Sequence, residues 1–188
     1  MSYFFLDCFT RRGNTLRSVD NTDPFPGITN RMLRKGNWLD VPEDAVAQFY
    51  FDKEPKGIIP EIFKLPTFLM TPEFFSALKE CGVDNIQAWP AKITDQETGE
   101  SYDYILGNIL GIVDIIDNSA SEVSPGSPPH TAVLYKKIVF DKDQPNNLHL
   151  FRPLNSRTSM VVSEQVRNHF EKLGAFPYIS FHSPGNYA

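Results

Sequence analysis

Metal binding and proton transfer near neutrality fall first to histidine, and this chain has four: His130, His149, His169 and His182. None has a second His, Cys or carboxylate at the spacing of a metal-ligand pair, so they read as solvated or singly hydrogen-bonded imidazoles. Asp141-Lys142-Asp143 resembles the opening of a calcium loop. The resemblance fails at Pro145, which takes the next ligand position, and at Arg152, which stands where the closing Glu belongs. The segment reads as a turn. No nucleophile elbow, phosphate loop or dinucleotide fingerprint is present, and no residue pattern asks for a cofactor. Pairs such as Asp114 and Asp117 would do acid–base work only where their surroundings separate the two pKa values, which a sequence does not disclose.

The densest polar cluster is Asp114-Ile115-Ile116-Asp117-Asn118-Ser119, with Glu122 close behind. One reading makes Asp114, Asp117, Asn118 and Glu122 an acidic rim offered to a basic partner. The plainer reading is a strand end whose Asp and Asn side chains satisfy nearby backbone amides. Trp38 and Tyr50 are further candidates for partner binding, because they stand with Phe49 and Phe51 outside the regular units described next and aromatic side chains anchor tight interfaces.

The elements that must position these groups are clearest after residue 66. Phe68-Leu69-Met70 is a short apolar strand, Thr71 a helix N-cap and Pro72 a first helical residue. Phe74, Leu78 and Cys81 share one helix face, and Gly82 ends the helix. Asn85 to Ile93 follows as a strand. The same grammar returns near the C-terminus: strand Met160 to Val162, cap Ser163, helix face Val166, Phe170 and Leu173, stop Gly174, strand Tyr178 to His182. Two strand-helix-strand units, with helices over 72–81 and 164–173, are expected to flank a common sheet. Between them lie a hairpin loop at Asp95 to Glu100, a strand running from Tyr102 through Ile112 with Gly107 and Gly111 as bends or bulges, and strands at Ala132 to Phe140 and Leu148 to Arg152. Residues 119–130 read as a loop rich in Pro and Gly. The expectation is an α+β fold with a mixed or antiparallel sheet, divided into an irregular N-terminal lobe with short strands at Tyr3 to Phe9 and Phe49 to Phe51 (residues 1–66) and an α+β domain (residues 67–188).

Composition sets the remaining bounds. At 188 residues and 41% hydrophobic content the chain buries a core without staples. A net charge of −5 argues against a protein that grips nucleic acid through its phosphates. Cys8 and Cys81 read as reduced thiols. Neither a signal peptide nor a membrane span is legible, so the expected location is the cytoplasm.

From Thr67 to Ser183 the chain resembles a bacterial immunity-protein family, the one numbered eleven in the polymorphic-toxin classification. The resemblance is carried by Met70-Thr71-Pro72-Glu73-Phe74 with Gly82 and Trp89, by Tyr102-Asp103-Tyr104 leading into Val113-Asp114-Ile115-Ile116-Asp117 and Ser121, by Leu150-Phe151-Arg152 before Val161-Val162-Ser163-Glu164, and by Gly174 with Ile179-Ser180-Phe181. It implies a small cytoplasmic antidote that binds and neutralises a cognate antagonism toxin, often a nuclease, with no catalytic motif of its own. Two other classes stay open on the residues alone: an adaptor or scaffold in a secretion or surface system, and an enzyme with a dispersed active site.

Overall fold

Residues 2–9, 15–52, 57–124, 135–141 and 148–186 are described by the computed structural model. Two five-stranded sheets organise them. The first contains β1 (Tyr3–Cys8), β7 (Ile112–Val113), β10 (Leu150–Pro153), β11 (Met160–Ser163) and β12 (Ile179–His182), in the order β12-β1-β11-β10-β7. The second contains β2 (Ala47–Tyr50), β3 (Ile62–Phe63), β4 (Phe68–Met70), β5 (Ile86–Thr94) and β6 (Ser101–Ile109), in the order β2-β5-β6-β4-β3. A ribbon of β8 (Glu122–Val123) and β9 (Tyr135–Lys137) lies apart. The helices are α1 (Asn30–Leu33), α2 (Pro72–Glu80) and α3 (Glu164–Leu173).

Both long helices begin and end as their sequences dictate. The Thr71 hydroxyl accepts from the Phe74 amide at 3.3 Å, and the Ser163 hydroxyl from the Val166 amide at 3.4 Å. Gly174 closes α3 in the left-handed region, at φ +60°. Phe74 of α2 meets Phe170 of α3 with ring centroids 4.8 Å apart, and Phe176 packs on both. This aromatic cluster belongs to a core drawn from both helices and both sheets.

Period-two alternation explains why the strands read as continuous apolar runs. Phe4 and Leu6 face the shared core, whereas Tyr3 and Phe5 face a second core with Ile115, Phe151 and Val161. On β4, Phe68 and Met70 face the shared core and Leu69 a third one with Phe49, Trp89 and Leu106. Each sheet is thus covered on both faces, and alternation no longer separates apolar from polar.

The fold is α+β, as expected, but the two strand-helix-strand units do not flank one sheet. β4 and β5 belong to the second sheet with β6 between them; β11 and β12 belong to the first with β1 between them. The two arrangements correspond strand for strand. β3-β4-β6-β5 is matched by β10-β11-β1-β12, every pairing within each set being antiparallel. The N-terminal strand therefore occupies in one sheet the place that β6 occupies in the other.

The expected strand from Tyr102 to Ile112 is divided. β6 ends at Ile109, and Gly111, at φ +87°, turns the chain out of the second sheet into β7 of the first. A positive φ is open to glycine at little steric cost. Gly107 is not a bend: it keeps the ladder, pairing with Phe68 and Ala88, and a Cβ there would lie 2.6 Å from the Met70 methyl. Of the strand expected over 132–140, residues 132–134 lie outside the described residues, as does most of the polar turn after Asp141.

Candidate partner-binding cleft

The segment after α1 runs over the start of β5 and is pinned by side chains from the sheet beneath it. Gln87 and Asn108 pair across β5 and β6, and both are buried. Gln87 Oε1 accepts from the Leu39 amide at 2.9 Å, and Gln87 Nε2 donates to the Leu39 carbonyl at 3.0 Å. Asn108 Nδ2 donates to the Asn37 carbonyl at 2.8 Å and to Gln87 Oε1 at 3.0 Å. The Trp89 indole N–H reaches the Val41 carbonyl at 3.5 Å. Leu39 is sunk in the core. Between the two anchored backbone positions, 37 and 39, the Trp38 side chain is left 73% exposed. An exposed indole on a fixed backbone has already lost the chain entropy that binding would otherwise remove.

Trp38 stands on a cleft of about 710 Å³. Ile86, Ala88, Leu110 and Val41 contribute apolar surface; Asp40, Glu43 and Asp84 contribute three exposed carboxylates, and the lining contains no Lys, Arg or His. Gln87 and Asn108 hold the segment that carries Trp38 and were missed by sequence reasoning. The available signal was an amide on the inward face of β5, which otherwise carries Trp89, Ala91 and Ile93.

The other sequence candidates are placed elsewhere. Tyr50, half-buried on β2, pairs with Thr94 at the far end of β5. Seven residues separate that point from Gln87, roughly 23 Å at about 3.3 Å per residue, so Tyr50 and Trp38 do not share a site. Asp117 is a turn cap. Its Oδ1 accepts from the Ser119 hydroxyl at 2.6 Å and from the Ser119 and Ala120 amides at 2.9 and 3.1 Å. The Ser119 hydroxyl bond, with those amides, holds the Asp117 carboxyl below the usual carboxylate range. Asn118 accepts from the Tyr135 hydroxyl at 3.0 Å, and Glu122 lies 3.7 Å from Lys136 within the β8–β9 ribbon. Asp114 is exposed at the end of β7. Ile115 and Ile116 between them are buried.

The described histidines sit with separate partners: His149 Nδ1 is 2.9 Å from the Ser163 hydroxyl, His169 Nε2 3.2 Å from Glu80, and His182 Nε2 2.8 Å from the Ser180 hydroxyl. His130 lies outside the described residues, as do residues 142–147 of the calcium-like segment. Among the described residues no group of three His, Cys, Asp or Glu side chains could hold a metal ion, and no helix is long and apolar enough to cross a membrane.

The model of one family, described as an immunity protein family (Imm11), matches residues 10–182. The chain belongs to the Imm11 family. The match begins well before Thr67, where the resemblance first became legible, and so takes in the Trp38 segment as well as both helices. Membership in Imm11 points to an immunity function and to a cognate toxin as the partner. No curated protein matches the chain.

Proposed function

We propose that this Imm11 chain acts in the cytoplasm as an antidote in competition between bacteria, binding a cognate toxin domain through the Trp38 face and blocking it without chemistry of its own. The observation that carries the reading is the exposed indole of Trp38 on a backbone held at both neighbours, Asn37 and Leu39. Tight protein interfaces concentrate their energy in a few aromatic or Arg anchors set in a polar rim, and this is the composition of the cleft. Family membership supports the class of partner. A nuclease is one kind of toxin that the resemblance implies as the partner.

The test is co-expression in bacteria. The toxin domain encoded beside this chain is induced with and without it, and complexes are recovered by pull-down. Rescue of growth together with a co-purified complex is the expected result. A complex without rescue would assign the chain to an adaptor role instead, and neither complex nor rescue would remove the antidote reading.

A further inference from the structure

The lining of the Trp38 cleft is one-sided in charge, and that asymmetry specifies what it receives. Asp40, Glu43 and Asp84 come from two separate stretches of chain, brought to one opening because Gln87 clamps the Leu39 backbone onto β5. Among the described residues none of the three is in an ion pair, whereas Asp7, Asp95, Asp103 and Glu122 each have a Lys or Arg within 4 Å. The Trp38 indole lines the same cleft, and of the aromatic side chains the indole attracts cations most strongly. The fold itself contains guanidinium groups over aromatic rings, with Arg17 3.9 Å from the Phe51 ring centroid and Arg167 4.1 Å from that of Phe4.

We propose that the cleft receives a cationic loop of the protein partner, with an Arg or Lys side chain laid on the Trp38 indole and Asp40, Glu43 and Asp84 pairing with that cation and its basic neighbours. The inference rests on the toxin-binding reading and deepens it: the surface covered on the toxin is a basic one. An apolar loop would leave three carboxylates facing a dry interface without partners, an arrangement that disfavours the complex strongly. A basic loop supplies those partners, and the unpaired carboxylates also draw it in at long range, so that association is fast and salt-sensitive.

The experiment titrates the purified neighbouring toxin domain with the full chain and with three variants: Trp38→Leu, Trp38→Phe, and the triple reversal Asp40→Lys, Glu43→Lys, Asp84→Lys. All four positions are exposed, and thermal unfolding checks that each variant is folded. The expected result is that Trp38→Leu weakens binding by about thirtyfold or more. Trp38→Phe, which keeps an aromatic face, should fall between Leu and wild type. The triple reversal should slow association by at least about tenfold at low salt and remove most of its salt dependence. A wild-type chain that forms no complex would overturn the antidote reading and this one with it. A wild-type complex that Trp38→Leu and the triple reversal leave unchanged would overturn the cleft assignment alone. Equal affinity for Leu and Trp at position 38, with the reversal still damaging, would overturn the cation-on-indole contact.

Discussion

Gly36 and Gly111 meet backbone to backbone: the Gly111 amide donates to the Gly36 carbonyl at 2.8 Å, and a Cβ on Gly36 would come within 3.0 Å of the Gly111 amide nitrogen. Both are left-handed, at φ +67° and +87°. The contact ties the start of the Trp38 segment to the point where the chain changes sheets. Gly36→Ala is therefore expected to combine left-handed strain with crowding against the Gly111 backbone, lowering stability by roughly 2 kcal/mol. Gly99→Ala is the control. It has φ +77° and open space around its Cβ position, so strain alone applies and the loss should be smaller. Denaturant midpoints of the two variants decide the point; equal losses would show that the close approach is unimportant.

Gln87 satisfies both backbone groups of Leu39 and accepts from Asn108 as well. Gln87→Leu keeps the volume of the side chain but leaves those buried groups without partners, a loss of roughly 1–3 kcal/mol. The Trp38 segment should loosen at the same time. Of the two tryptophans, Trp89 is buried and Trp38 exposed, so in a Trp89→Phe background the emission anisotropy of Trp38 reports that segment directly. Anisotropy should fall when Gln87→Leu is added. An unchanged value would mean that Asn108 and the glycine contact hold the segment unaided.

The Arg17–Asp95 ion pair gives the hairpin end of the second sheet a defined dependence on pH. The groups lie 2.6 Å apart with both side chains nearly inaccessible. The hydrogen bond from Arg17, followed by the Glu97 amide, holds the Asp95 carboxyl below the usual carboxylate range. A depressed folded-state pKa contributes stability that is fully present above the unfolded value, about 3.9, and is lost as pH falls through the folded value. Asp95→Asn keeps an oxygen for the Glu97 amide but removes the charge. Its destabilisation should accordingly be largest near neutrality and shrink toward zero in strong acid. Unfolding midpoints of wild type and variant at neutral and acid pH measure the difference; a gap that widened on acidification would contradict the pairing.

What was legible in the sequence was what is local. Thr71, Ser163 and Gly174 announce helix ends through bonds to residues a few positions away, and both helices lie where those signals put them. Pairings between distant segments left no such trace. β1 lies between β11 and β12, roughly 155 and 175 positions further along, and a strand buried on both faces carries no alternation to say which sheet it joins. The cleft was half legible for the same reason. Trp38 could be flagged as an aromatic outside the regular units. Asp40 and Asp84 could not be joined to each other, because they come to one cleft through long-range anchors such as the Gln87–Leu39 clamp, and neither is unusual in its own neighbourhood. The Asp114-to-Ser119 cluster drew attention by composition, yet Asp117 is occupied with the amides of its own turn.

The two cysteines should be chemically silent while the chain is folded. Both are free thiols. Burial pushes the Cys8 thiol up to about 12 and the Cys81 thiol up to about 11. Cys8 is further engaged as a donor to the Ile62 carbonyl at 3.2 Å. Because the thiolate is the reacting species, raising a thiol from its ordinary pKa of about 8.5 to these values lowers the reactive fraction near pH 8 by roughly two to three orders of magnitude. Labelling with a disulfide reagent under native conditions should therefore be slow for both residues and become fast in denaturant, where their pKa values relax. A native rate close to the denatured one, at either residue, would show that its thiol opens to solvent more readily than its packing allows. Loss of both thiols without denaturant in a non-reducing buffer would instead reveal a disulfide, which the Cys8–Ile62 contact argues against.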